Sequence, residues 1–186
     1  MNSKYDFIEC SWSSLKYLFL KYHYLKSMPS GILACYGLFE KQFPFECLGG
    51  AVFSNGRIQY DKIYLEFSRM YLVDKLNKNS ESWFISKCIK LLKIKFPDYK
   101  GIVTWADPSR NHKGTVYLAS NFVYDGESRK VKRFKGIGNK IVYQRSSKKG
   151  DILLSEDIPK KRFIYYFDSE IREKFKTKNK IKNLNL

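Results

Sequence analysis

The densest run of chemically capable residues is Thr104-Trp105-Ala106-Asp107-Pro108, followed by Asn111 to Gly126 with His112, Lys113, Tyr117, Ser120, Asn121 and Tyr124. An aspartate just past a buried strand sits where mixed sheets open to ligands. Its carboxylate can act as a general base, a metal ligand or the cap of the loop that follows. Tyr117 and Asn121 are four residues apart and Ser120 is three from Tyr117, so a helix there gathers them. No Walker loop, G-x-G-x-x-G, H-E-x-x-H or G-x-S-x-G occurs, which removes the commonest nucleotide-binding and hydrolase signatures. Cys10, Cys35, Cys47 and Cys88 are too widely spaced for a zinc knuckle or redox pair and read as reduced, mostly buried thiols.

These residues need a scaffold, and apolar periodicity supplies one. A short strand is predicted at Tyr5 to Glu9 and a helix over Ser11 to Leu25, from Trp12, Leu15, Leu18, Phe19 and Tyr22. Strands follow at Ile32 to Phe39, Cys47 to Ser54 and Ile58 to Val73, separated by turns with Pro44 and Asn55-Gly56. Phe84, Ile85, Cys88, Ile89, Leu92 and Phe96 recur at helical spacing until Pro97, which fixes a helix from Ser80 to Phe96. Gly101 to Ala106 reads as a buried strand, His112 to Asn121 as a helix and Phe122 to Tyr124 as extended chain. Hairpin pieces (Val131 to Phe134, Lys140 to Gln144) and a strand, Phe163 to Phe167, come next, and Lys174 to Lys182 is expected to fray. The fold class is α+β, with one domain over 1–167 and a basic tail over 168–186.

The chain has 186 residues, 44% of them hydrophobic, which suffices for a real core and excludes wholesale disorder. No apolar run approaches the length of a membrane span and no secretory signal is visible, so a cytoplasmic protein is expected. A net charge of +17 points to an anionic partner. The excess is concentrated between Arg129 and Lys149, where nine basic residues, among them Lys130, Lys132, Arg133, Lys135 and Lys140, meet no acidic one. Phe134 and Tyr143 are interleaved with them. That is the pattern of a nucleic-acid-binding segment.

Several runs resemble the phage Mom family of DNA adenine-modification proteins, within the GNAT acyltransferase superfamily. They are Tyr64-Leu65-Glu66-Phe67-Ser68-Arg69-Met70-Tyr71, Asn79-Ser80-Glu81-Ser82, Ala106-Asp107 and His112 to Phe122, with His23-Tyr24-Leu25 and Pro159 to Phe163 in addition. The resemblance spans most of residues 15–167. It implies a GNAT-like, mostly antiparallel mixed sheet flanked by helices. It also implies a transferase that converts adenine N6 in DNA to a carbamoylmethyl derivative and so protects phage DNA from restriction. The alternatives are an acyltransferase acting on another amine, in a different base, tRNA or protein, and a non-catalytic DNA-binding protein.

By the same resemblance, His23, Tyr24, Asp107 and Tyr117 occupy catalytic positions, and Arg69, Ser80 and Ser82 lie on the acyl-CoA side. Arg69 at a strand end and Ser80 to Ser82 at a helix start can meet a pyrophosphate with a guanidinium and free backbone amides. Asp74 to Ser80 carries no glycine, however, where GNAT enzymes usually have R/Q-x-x-G-x-G/A. Acetyl-CoA or a related acyl donor is the expected cofactor. Iron held by His23, Tyr24, Asp107 and Tyr117 is the other candidate, because plain acyl transfer does not join nitrogen to a methylene. The expected partners are a small-molecule donor and double-stranded DNA with its target adenine flipped out, with Trp105, Tyr117 and Tyr124 as candidates for the base slot.

Overall fold

Each half of the chain has to supply strands to one sheet for the Asp107 region to be held between them. The computed structural model describes residues 4–56, 63–130, 132–135, 141–143, 152–156 and 158–184. Its elements in order are β1 (Tyr5–Glu9), α1 (Trp12–Lys21), β2 (Ile32–Glu40), β3 (Phe43–Asn55), β4 (Tyr64–Leu72), α2 (Ser80–Lys95), β5 (Gly101–Ala106), α3 (Thr115–Ala119), β6 (Val123–Glu127), β7 (Lys132–Lys135), β8 (Ile141–Tyr143), β9 (Ile152–Glu156), β10 (Lys161–Tyr166) and α4 (Ser169–Leu184). Seven strands form one sheet in the order β1-β2-β3-β4-β5-β10-β6, antiparallel except where β4 meets β5. The remaining three form a small sheet, β8-β7-β9, inserted between β6 and β10.

Strand alternation assigns the helices to faces. Cys35 and Val52 pack under Leu15 and Phe19 of α1. Their neighbours Tyr36, Ala51 and Phe53 point the other way, into a core with Phe84, Ile85, Cys88 and Leu92 of α2. Gly50 lets α1 lie close, since a Cβ there would come within 2.7 Å of the Leu15 side chain. α4 covers Val103, Ile164 and Tyr166 through Phe175, whose ring stacks on Tyr166 at 4.9 Å.

Two irregularities open the sheet. β4 and β5 pair in parallel only at Tyr64 to Glu66 against Gly101 to Val103, and beyond that the strands have no shared ladder. On the β3 side, Phe53 pairs with Phe67 but Val52 with Arg69, so Ser68 is an extra residue, a one-residue bulge. The bulge inverts the alternation. Leu65 and Phe67 belong with the α2 core, as do Met70 and Leu72, while Tyr71 packs with the α1 cluster.

Several boundaries differ from expectation. α1 ends at Lys21 and the chain turns through Lys26, whose φ is 47°. The helix expected over His112 to Asn121 is only Thr115–Ala119, because Asn111 and Gly114 adopt left-handed backbone (φ 59° and 85°). Pro108–Arg110 is instead a 3-10 turn. β4 starts at Tyr64, with residues 57–62 outside the described set. Strand β9 had no expectation. Residues 174–182, expected to fray, continue α4.

Candidate active site

The divergence of β4 from β5 produces a cleft of about 590 Å³. Phe67 to Leu72 of β4, Trp105 of β5, the His112 to Tyr117 segment and Tyr22 to Tyr24 line it. Among the residues expected from sequence, it gathers His23, Tyr24, Arg69 and Tyr117. Asp107, Ser80 and Ser82 adjoin it without belonging to its lining.

Tyr117 is wedged between the diverging strands. Its ring packs against Phe67, Phe122 and Phe163 at 6.0, 5.7 and 5.6 Å. Gly114 permits this, since a Cβ there would strike the Phe163 ring at 2.3 Å and its φ of 85° disfavours any side chain. Burial raises the Tyr117 phenol above its ordinary value, and a contact with Thr104 opposes the rise only in part. Thr104 in turn donates to the Phe67 carbonyl at 3.2 Å, across the split. At neutral pH, therefore, Tyr117 is a phenol able to give a proton.

Tyr24 stands at the rim, with His112 edge-on at 5.4 Å and the Arg110 guanidinium 5.9 Å from its ring. Burial, then the nearby Asp107 charge, raises its pKa too. His23 is buried against Phe19 and Tyr24, and its Nδ1 accepts the Leu25 N–H at 3.2 Å. Burial first, then Arg69 and His112, lowers its pKa to about 4. At neutral pH it is an uncharged imidazole with Nε2–H as its donor.

Asp107 ends β5 with its carboxylate occupied. Oδ1 accepts the backbone N–H of Ser109 at 3.1 Å and the Ser109 hydroxyl at 2.5 Å, and Oδ2 lies 3.4 Å from Lys160 Nζ. Burial acts to raise its pKa, but Ser109 and Lys160 together outweigh that and the net shift is downward. Of the roles its position allowed, the structure shows the cap of the 3-10 turn.

On the other wall, Arg69 donates from Nε to the Ser27 carbonyl at 3.2 Å and from Nη1 to the Ser68 carbonyl at 2.7 Å. This holds the guanidinium against the loop after α1, which is the work of the Ser68 bulge. Ser80 and Ser82, in the first turn of α2, donate back to the carbonyls of Asn77 and Asn79 just ahead of the helix. Asn79 takes the left-handed conformation (φ 68°) that a glycine would otherwise supply before the helix. The glycine-free loop thus still delivers the α2 N-terminus beside the cleft, although Asp74 and Glu81 line the same end. The sheet edge suits an acyl-CoA, since the β5-facing side of β4 is without a strand from Phe67 on and the start of α2 lies beside the cleft; Arg69, expected at a strand end, instead sits inside β4 with its guanidinium tied to Ser27 and Ser68.

Iron fits less well. Among the described residues no group of three or more His, Cys, Asp or Glu side chains converges, and His23 Nδ1 and the Asp107 carboxylate are already engaged. Of the base-slot candidates, Trp105 and Tyr117 line the cleft, whereas Tyr124 packs on Phe163 outside the lining. Sequence reasoning missed Tyr22 and Tyr71, which line it as well and stack on each other at 5.4 Å. The available signals were a tyrosine next to His23 and Tyr71 at the end of a run that carries the family resemblance. Lys130, Lys132, Arg133 and Lys135 lead into and form β7, while Lys140 lies outside the described residues. No helix among the described residues is long and apolar enough to cross a membrane.

A mostly antiparallel sheet flanked by helices and split between its two parallel strands is a GNAT acetyltransferase fold. Arabidopsis thaliana NAA60, solved in complex with acetyl-CoA, superposes with a TM-score of 0.57 at 11% identity, over 88% of this chain and 99% of that one. Spermidine N-acetyltransferase from Vibrio cholerae, in complex with CoA and spermine, gives 0.53 at 10% identity, over 89% and 96%. Within that fold the chain belongs to the Mom protein family, which it matches over residues 4–182. It is 27% identical to the methylcarbamoylase Mom of Escherichia phage Mu over 129 residues, 62% of this chain and 53% of the relative. The chain thus matches about half the length of that curated relative.

Proposed function

We propose that the protein is a Mom-type DNA-modification enzyme that transfers a group from an acyl-CoA donor to adenine N6 in DNA, ending in the carbamoylmethyl derivative that blocks restriction. The observation that carries the reading is the cleft between β4 and β5, with protonated Tyr117 on one wall and Arg69 on the other, in a chain of this family. A bound donor would supply the activated carbon. Arg69 and the α2 N-terminus would hold its phosphates, and the open β4 edge its extended arm. Tyr117 would give its proton to the departing sulfur, and the proton shed by N6 on forming the new bond would restore the phenol. Adenine N6 is a weak nucleophile, with its lone pair conjugated into the ring, so the base must leave the duplex and be held near Trp105 and Tyr24.

Attack on a thioester carbonyl leaves an acyl group on nitrogen, whereas carbamoylmethyl joins nitrogen to a methylene. Carbamoylmethyl also carries an amide nitrogen that acetyl lacks, so the family product requires either a glycyl thioester, whose transferred group is an isomer of carbamoylmethyl and can rearrange to it, or a donor bearing a carbamoylmethyl group with a leaving group on its methylene. Lys130, Lys132, Arg133 and Lys135 on the β7 side would grip phosphates beside the extruded base. Mass spectrometry of nucleosides from DNA co-expressed with the protein tests the reading. A carbamoylmethyl deoxyadenosine supports it, an acetylated deoxyadenosine reassigns the product, and unmodified DNA overturns it in favour of another amine or a binding protein.

A further inference from the structure

The aromatic residues at the mouth of the cleft form a strip that the proposed transfer step does not use. Tyr22, just past α1, stacks on Tyr71 of β4 with the rings 10° from parallel, and Tyr17 meets Tyr22 edge-on at 6.5 Å. Tyr17 is 67% exposed and Tyr22 46%, so the strip faces solvent. Lys21 sits between the two tyrosines. Its Nζ donates to the Tyr17 hydroxyl at 2.9 Å and lies 5.0 Å from the centroid of Tyr22. Further along the helix, Lys16 Nζ lies 5.7 Å from the ring of Trp12, which is 48% exposed. On the helix, Trp12, Lys16, Leu20, Tyr17 and Lys21 fall on one exposed side, opposite the buried Leu15, Leu18 and Phe19.

Charge sets the occupant. Residues 10–39 contain Lys16, Lys21 and Lys26 and no acidic residue. Exposed tyrosines and a tryptophan alternating with lysines would be an aggregation hazard without a partner, and they match an unpaired strand whose bases stack on rings while its phosphates meet ammonium groups. The strip leads into the cleft, because Tyr22 and Tyr71 are also lining residues. The chemistry at the inner end differs: Asp74 adds negative charge beside Tyr71, which suits a neutral base there and phosphates further out near Lys21.

We infer that the exposed face of α1, with Tyr22 and Tyr71, is a single-stranded DNA platform that receives the extruded nucleotide and its neighbour and passes the target base into the cleft. This rests on the reading of DNA as the substrate. The test is titration of a single-stranded DNA oligonucleotide carrying 2-aminopurine, without donor, against the wild type and variants. Stacking on Tyr22 should quench the fluorophore on binding. Tyr22→Ala and Tyr71→Ala should bind roughly 5- to 150-fold more weakly, the range expected when one base stack is removed, while Tyr22→Phe keeps the stack and binds like wild type. Melting temperatures near wild type show that the variants are folded, and the Phe variant is the control if Ala proves disruptive. Wild-type affinity in both Ala variants, with DNA still modified by the wild-type protein, overturns the platform alone. Failure of the wild type to bind or modify any DNA overturns the substrate reading with it.

Discussion

Lys160 Nζ lies 3.4 Å from Oδ2 of Asp107, and this pair joins the residue before β10 to the end of β5. Lys160 also closes the neck of the inserted sheet, since its carbonyl accepts the Ser128 N–H at 2.8 Å and its own N–H donates to Ser128 Oγ at 2.9 Å. The basic β7–β9 unit is therefore hinged to the rim of the cleft through Asp107. A carboxylate whose pKa is held down by Ser109 and Lys160 is a weak base, and its natural work is positioning.

Asp107→Asn should keep the Ser109 cap and lose the Lys160 pair, so it should melt within about 1 kcal/mol of wild type. Its defect should appear as a raised KM for DNA with kcat changed far less. Steady-state kinetics at varied DNA concentration decide. A kcat loss of about 100-fold or more at unchanged KM would assign the carboxylate to proton transfer instead.

Tyr117→Phe should bind donor normally and turn over slowly. The ring that fills the sheet split is retained, while the proton donor is removed, and general-acid contributions run at about 10²- to 10⁴-fold. The checks are single-turnover rates together with a thermal shift in saturating acetyl-CoA, which at about 100 times the dissociation constant should amount to ~2.7 kcal/mol in both proteins. A variant at wild-type rate would remove Tyr117 from the chemistry.

The basic strand should account for part of the salt dependence. Changing Lys130, Lys132 and Lys135 to Gln should reduce the slope of log affinity against log salt by about 0.9 for each phosphate that is no longer neutralised. Binding isotherms on duplex DNA at several salt concentrations measure it. An unchanged slope would move the duplex-binding surface off β7.

What the sequence made legible follows from which forces are local. The α2 pattern from Phe84 to Leu92 and the buried β5 run are each one-dimensional signals, and both elements are where periodicity predicts them. The Ser68 bulge is not local: it exists because Val52 and Phe53 of another strand pair around it, and it is what lets Tyr71 join the α1 cluster and stack on Tyr22. In the same way, Asp107 could be placed at a strand end, but its partner Lys160 is 53 residues away and no spacing announces it. The short α3 was hidden by Asn111 and Gly114, whose left-handed conformations cut what reads as a longer helical run.

His23 should make stability fall in mild acid. Its folded pKa of about 4 lies below the unfolded value of 6.5, so between these two values the unfolded chain binds the proton that the folded chain refuses. Stability is then full above about pH 6.5 and declines as pH falls toward 4, by up to about 3 kcal/mol for the whole shift. The groups facing the imidazole, Arg69 and His112, act in the same direction as burial. His23→Gln keeps a hydrogen-bonding side chain and removes the titration. Denaturant unfolding at pH 7.5 and pH 5 should show a drop in wild type that shrinks in His23→Gln, and an equal drop in both would mean that the imidazole charges freely in the folded protein.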